Sequence, residues 1–143
     1  MRLFFSLATA GLLALGALGL TDKAQADSDP VVIGAAIALS GFVQPYDEGP
    51  LKGAQLAIAD INAKGGVMGH QLKIVTADTK SDPAQGTNAA IEVLEQGAEM
   101  VMVTCDFDFG AAAALQAQAS GKVTFSSCAG DPKFGVQGIG PLA

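Results

Sequence analysis

Short apolar runs alternate along this chain with longer stretches in which apolar residues recur every three to four positions, the pattern of strands and amphipathic helices taken in turn. The run Val31 to Leu39, "VVIGAAIAL", is almost unbroken and predicts a central strand covered on both faces, as in a parallel sheet. Ser40-Gly41 ends it. A loop through Pro45, Tyr46 and Gly49 then leads into a helix expected from about Pro50, where Leu51, Ala54, Ile58 and Ile61 share one face. Gly65-Gly66 supplies a left-handed stop, Gly69 allows the chain to reverse, and Gln71 to Ala77 returns as a strand with Leu72, Ile74 and Thr76 on one side. Asp82 caps a second helix, with Pro83 in its first turn and Thr87, Ala90, Ile91 and Leu94 as its inner stripe. Met100 to Thr104 predicts a third strand, Gly110 to Ser120 a helix rich in small residues, Val123 to Ser126 a fourth strand, and the remainder a glycine- and proline-rich loop.

Strand and helix in alternation predict an α/β fold, a doubly wound parallel sheet with right-handed crossovers and helices on both faces. Ligands of such sheets bind beyond the carboxyl ends of the strands. That singles out three loops, Ser40 to Gly49, Thr104 to Gly110 and Ser126 to Asp131.

Half of the 143 residues are apolar and the formal net charge is −6, a balance that excludes a disordered chain and offers nucleic acid no basic stripe. Residues 1–26 read as a secretory signal peptide: Arg2, an apolar run from Leu3 to Leu20, then Ala24-Gln25-Ala26 as a small-x-small cleavage site. The run is short for a membrane span and is diluted by Ser6, Thr9 and glycines. No cysteine stands there to carry a lipid. The expectation is a soluble product exported to a Gram-negative periplasm, without membrane insertion after cleavage, in which residues 27–143 form one domain.

Chemistry-bearing residues are few. The single histidine, His70, falls in a turn at the amino end of a strand, away from the three loops, which leaves serine–histidine and cysteine–histidine catalysis without a base. No catalytic residue, metal site or cofactor is expected. Gly138-Ile139-Gly140 lacks the preceding strand and, through Pro141, the following helix of a dinucleotide fingerprint. The most informative loop is "TCDFDFG", Thr104 to Gly110. Its Asp106 and Asp108 lack the companion oxygen ligands of a calcium loop; they read as acidic groups at a helix N-terminus or as a pocket wall. Phe107 and Phe109 read as core or as aromatic lining. Cys105 and Cys128 end the third and fourth strands, neighbours in the usual doubly wound order, so they either form a disulfide or remain two separate buried thiols.

The segments "IGAAIALSG", "KGAQLAIADINAKGGVMGHQLKIVTAD" and "SDPAQG" resemble the periplasmic binding proteins of the branched-chain amino acid (Leu/Ile/Val) type, over Val31 to about Gly135. The resemblance implies the N-terminal lobe of a type I periplasmic-binding fold. It further implies a two-lobed, non-catalytic receptor that closes over a small-molecule solute and delivers it to the permease and ATPase subunits of an ABC importer. The ligand-binding set it implies is Ser40 and Tyr46 from the first loop, Cys105, Asp106, Phe107 and Asp108 from the second, and Ser127, Cys128, Ala129 and Gly130 from the third.

Two departures point away from a standard branched-chain ligand. Cys105 to Phe109 stands where the amino-acid binders place serines that hold the ligand carboxylate, and Asp106 or Asp108 would repel one. Gly130 stands where they carry a threonine. An aromatic, amide-like or cationic solute is therefore expected. The family's second lobe and hinge lie beyond Ala143, so the chain is expected to be a fragment with apolar surface exposed where the rest would pack. Two rival readings are a ligand-sensing lobe of a signalling system and a small flavodoxin-like redox protein working through Cys105 and Cys128.

Overall fold

The computed structural model describes residues 29–136; the expected signal peptide and the Gly138-Ile139-Gly140 tripeptide lie outside them. Four strands, β1 (Val31–Ile37), β2 (Leu72–Asp78), β3 (Met100–Val103) and β4 (Val123–Phe125), pair in parallel in the order β2-β1-β3-β4. Helices α1 (Gln44–Ala63), α2 (Pro83–Glu95) and α3 (Phe107–Ala119) make the crossovers, and a short turn of helix, α4 (Lys133–Val136), follows β4. No helix among the described residues is long and apolar enough to cross a membrane.

The strand period of two sorts β1 between two cores. Ala36 joins Val75, Ala77, Val101 and Val103 beneath α2 and α3, while Ala35 and Ile37 join Met102 on the opposite side, with Leu51 of α1 packed against them. The sheet is thus covered on both faces, as the unbroken apolar run of β1 predicts.

The α1–β2 connection follows the glycines. The Gly65 and Gly66 amides donate to the carbonyls of Asn62 and Ile61, at 3.0 Å each, which closes the helix with two left-handed residues. A side chain at Gly66 would lie 2.0 Å from the His70 carbonyl oxygen, so only glycine fits. Asn62 then pins the end of α1 to the start of β2, its amide donating to the Leu72 carbonyl and accepting from the Leu72 N–H, both at 2.8 Å.

Four expectations are corrected. Helix α1 begins at Gln44, not near Pro50: Pro45 takes the first turn, where no N–H is required, and Pro50 sits inside the helix. Helix α3 begins at Phe107, not Gly110, because the Asp106 side chain accepts from the Asp108 N–H and caps it there. The buried stripe of α2 is Gly86, Ala89, Ala90 and Val93, and Ile91 faces outward at 37% exposure. Small residues win those positions because α3 packs close, with Ala112 Cβ 3.3 Å from where a Cβ on Gly86 would stand. Finally, the stretch after β4 is not all loop, since α4 carries Phe134 into the core.

Candidate ligand-binding site

The carboxyl ends of β1, β3 and β4 surround a cavity of about 530 Å³. Its frame is made by carboxyl groups receiving backbone amides. Asp47, on the inner face of α1 and 2% exposed, accepts from the Ala38 N–H at 2.8 Å and the Cys105 N–H at 3.1 Å. One side chain therefore ties the end of β1 to the end of β3. Asp78 does similar work at the end of β2, accepting from the backbone amides of Leu39, Ser40 and Lys80 and, at 2.6 Å, from the Ser40 hydroxyl. Burial pushes the Asp78 carboxyl up, but the Ser40 hydroxyl and the three amides outweigh it and hold the group below the usual carboxylate range.

A covalent tie completes the frame. Cys105 and Cys128 are joined in a disulfide with Cα atoms 5.0 Å apart, linking the loop after β3 to the loop after β4. Of the two outcomes left open by the sequence, the disulfide is the one found, and strand adjacency is its cause. An Asp47 oxygen and the two sulfurs lie within 4.8 Å of one another; bonded to each other, the sulfurs are not thiolate ligands. The Tyr46 carbonyl, deprived by Pro50 of the amide that would normally bond it in the helix, lies 3.7 Å from Cys105 Sγ.

Aromatic and acidic side chains hang on this frame. Phe42 and Phe109 meet edge to face with ring centroids 5.2 Å apart, and Phe107 meets Phe134 in the same way at 5.1 Å. Phe42 and Tyr46 are about two-thirds exposed, at 70% and 68%. Asp106, Asp108 and Asp131 also line the cavity, while Lys133 reaches toward Asp131 and over the Phe107 ring.

Of the residues singled out from the sequence, the structure brings Tyr46, Cys105, Asp106, Phe107, Asp108, Cys128 and Gly130 to the cavity wall. Ser40, Ser127 and Ala129 are placed off it. Ser40 is turned to Asp78, and its carbonyl accepts from the Ser81 hydroxyl at 2.7 Å. Ser127 is exposed with its Oγ 3.5 Å from Cys128 Sγ, and Ala129 packs against the core. His70 lies at the amino edge of the sheet, its Nδ1 3.1 Å from the Asp29 carbonyl oxygen.

Sequence reasoning missed Phe42, Val43 and Asp131 in the wall and Asp47 in the frame. Asp47 left a readable trace. Val43, Asp47 and Leu51 recur every four residues, which puts an acidic group on the inner stripe of a helix.

A sequence model of the periplasmic binding protein family matches residues 30–142. The chain belongs to that family. It is 36% identical over 90 residues to the Leu/Ile/Val-binding protein of Escherichia coli strain K12, covering 63% of this chain and 24% of the relative. It is 37% identical over 90 residues to the Leu/Ile/Val/Thr-binding protein of Salmonella typhimurium strain LT2, covering 63% and 25%. Among solved structures, a branched-chain amino acid transporter substrate binding protein from Streptococcus pneumoniae, in complex with isoleucine, superposes with a TM-score of 0.68 at 29% identity. That superposition covers 77% of this chain and 30% of that one. The chain spans about a quarter of the length of the curated relatives it matches, and the fold is that of a type I periplasmic-binding lobe.

Proposed function

We propose that this chain is the N-terminal lobe of an exported solute-binding receptor of an ABC importer, with no catalytic activity of its own. The observation that carries the reading is the cavity of about 530 Å³ at the carboxyl ends of β1, β3 and β4 in this family's fold. An aromatic, amide-like or cationic small molecule would sit against Tyr46, Phe107 and the loop through Cys128 and Gly130. A permease and its ATPase are the partners such a receptor would serve, and the periplasm is where it would meet them. The Cys105–Cys128 disulfide supports an oxidising compartment.

The test is export and uptake together. Protein recovered from the extracytoplasmic fraction should begin after residue 26 and release a small solute on denaturation. Deleting its gene should abolish uptake of that solute. Cytoplasmic retention with residues 1–26 intact, or uptake unchanged for every solute released, would sink the reading.

A further inference from the structure

We infer that the site takes an organic cation, an ammonium or guanidinium group on an apolar body without a free carboxylate. The inference rests on the solute-receptor reading above and narrows it to one class of solute.

Three observations converge on that class. The first is the composition of the wall. Phe42, Tyr46 and Phe109 offer ring surface, and Asp106 and Asp108 offer negative charge beyond that of Asp131, which Lys133 pairs from outside the lining. Ring faces attract cations through their quadrupole, and a concave acidic wall raises the local concentration of positive solutes.

The second is the state of the α3 N-terminus. The Asp108 amide already donates at 2.9 Å to Asp106 Oδ1, and Asp108 adds another carboxylate in the first turn. One first-turn amide is thus taken by the chain's own carboxylate, and an incoming carboxylate meets like charge from Asp106 and Asp108 there.

The third is that this wall already accommodates a cation from the chain itself. Lys133 Nζ lies 5.2 Å from the Phe107 ring centroid and 3.6 Å from Asp131 Oδ2. One ammonium has thereby taken an aromatic face and a carboxylate of the wall. Asp106 and Asp108, neither of them ion-paired with Lys133, remain for a solute.

Tyr46 is the only tyrosine of a chain without tryptophan, so intrinsic emission reports on this wall. Three probes with the same branched apolar body separate the charges: isopentylamine, leucine and 4-methylpentanoate. Titrated into the exported chain, the amine should saturate the Tyr46 signal at about tenfold lower concentration than leucine, weaken as salt rises, and outcompete the carboxylate entirely.

Leucine binding as tightly as the amine would overturn the cation inference and leave the receptor reading standing. No response to any probe, by emission or calorimetry, would overturn both. The double variant Asp106→Asn, Asp108→Asn removes charge while asparagine keeps the helix cap. With unchanged far-UV circular dichroism it should lose about tenfold in amine affinity; undiminished amine affinity would also overturn the inference.

Discussion

The two faces of the sheet are held by different means. Under α2 and α3 the contact is made of small residues, Ala89, Ala90, Ala113, Ala114 and Ala117 against Val101 and Val103. A Cβ on Gly34 of β1 would stand 2.7 Å from Val93 Cγ2 and 2.9 Å from Ala98 Cβ. That face is close-packed and has no room to grow. Under α1, bulkier groups meet more loosely. Ile37 and Met102 are buried, Leu51, Ile74 and Phe125 only partly, and the one fully buried residue of α1 is Asp47. The difference teaches that close apolar packing positions the backbone on one side, whereas hydrogen bonds to a buried carboxyl position it on the other. The cavity opens at the hydrogen-bonded end.

The largest break should come from Asp47→Ala, which orphans the Ala38 and Cys105 amides and is expected to cost roughly 4 kcal/mol in a urea titration. A cost under about 1 kcal/mol would mean that the α1 side is held by packing after all. Replacing both Cys105 and Cys128 by serine touches neither face but frees the loops at the shared edge. With a sequence separation of 23, roughly 3 kcal/mol of stability should be lost, by the same measurement.

Two alanine substitutions at glycines sharpen the contrast. Gly34→Ala should destabilise by about 2 kcal/mol, since its neighbours are the Val93 and Ala98 side chains of a full core. Gly53→Ala lies inside α1 with nothing beyond the helix's own backbone within 4 Å of the new methyl, and should stabilise by about 0.7 kcal/mol through helix propensity alone. Equal thermal shifts in the same direction would erase the distinction between the faces.

The smallest effect is acid dependence at Asp78. Its carboxyl titrates below the ordinary value in the folded chain, so its contribution is complete above the unfolded value and is lost as pH falls through the folded one, on the acid side of the ordinary carboxylate range. Urea midpoints measured from neutral to strongly acid pH should show this limb in the parent chain and a shallower one in Asp78→Asn.

Elements bounded by strong local chemistry were legible in the sequence. The Asp82-Pro83 start of α2, the Gly65-Gly66 stop and the Gly69 reversal before β2 stand where they were expected, because φ > 0 and cap hydrogen bonds are local demands. The alternation of apolar runs with helically spaced stripes carried the four strands and the parallel sheet, and the family resemblance the type of lobe. Illegible were the helix starts next to the cavity, for a shared reason. Pro50 reads as an opening and stands within α1, and Asp106, read either as an acidic group at a helix N-terminus or as a pocket wall, is both cap and lining. Which face of α2 turns inward was decided by the approach of α3, a tertiary fact that Ile91 could not announce. At the site, Ser40 has the right position along the chain, yet its hydroxyl is spent on Asp78. The aromatic ring of Phe42 reaches the wall from the same loop.

Asp47 supports the cavity through main-chain amides of its neighbours, and the disulfide through a bond between loops. Neither depends on the rings of Phe42 or Tyr46, which stand largely free. Scaffold and upholstery are separate. Single substitutions at the facing positions can therefore change what the cavity wall presents, while the scaffold that holds the wall stays as it is.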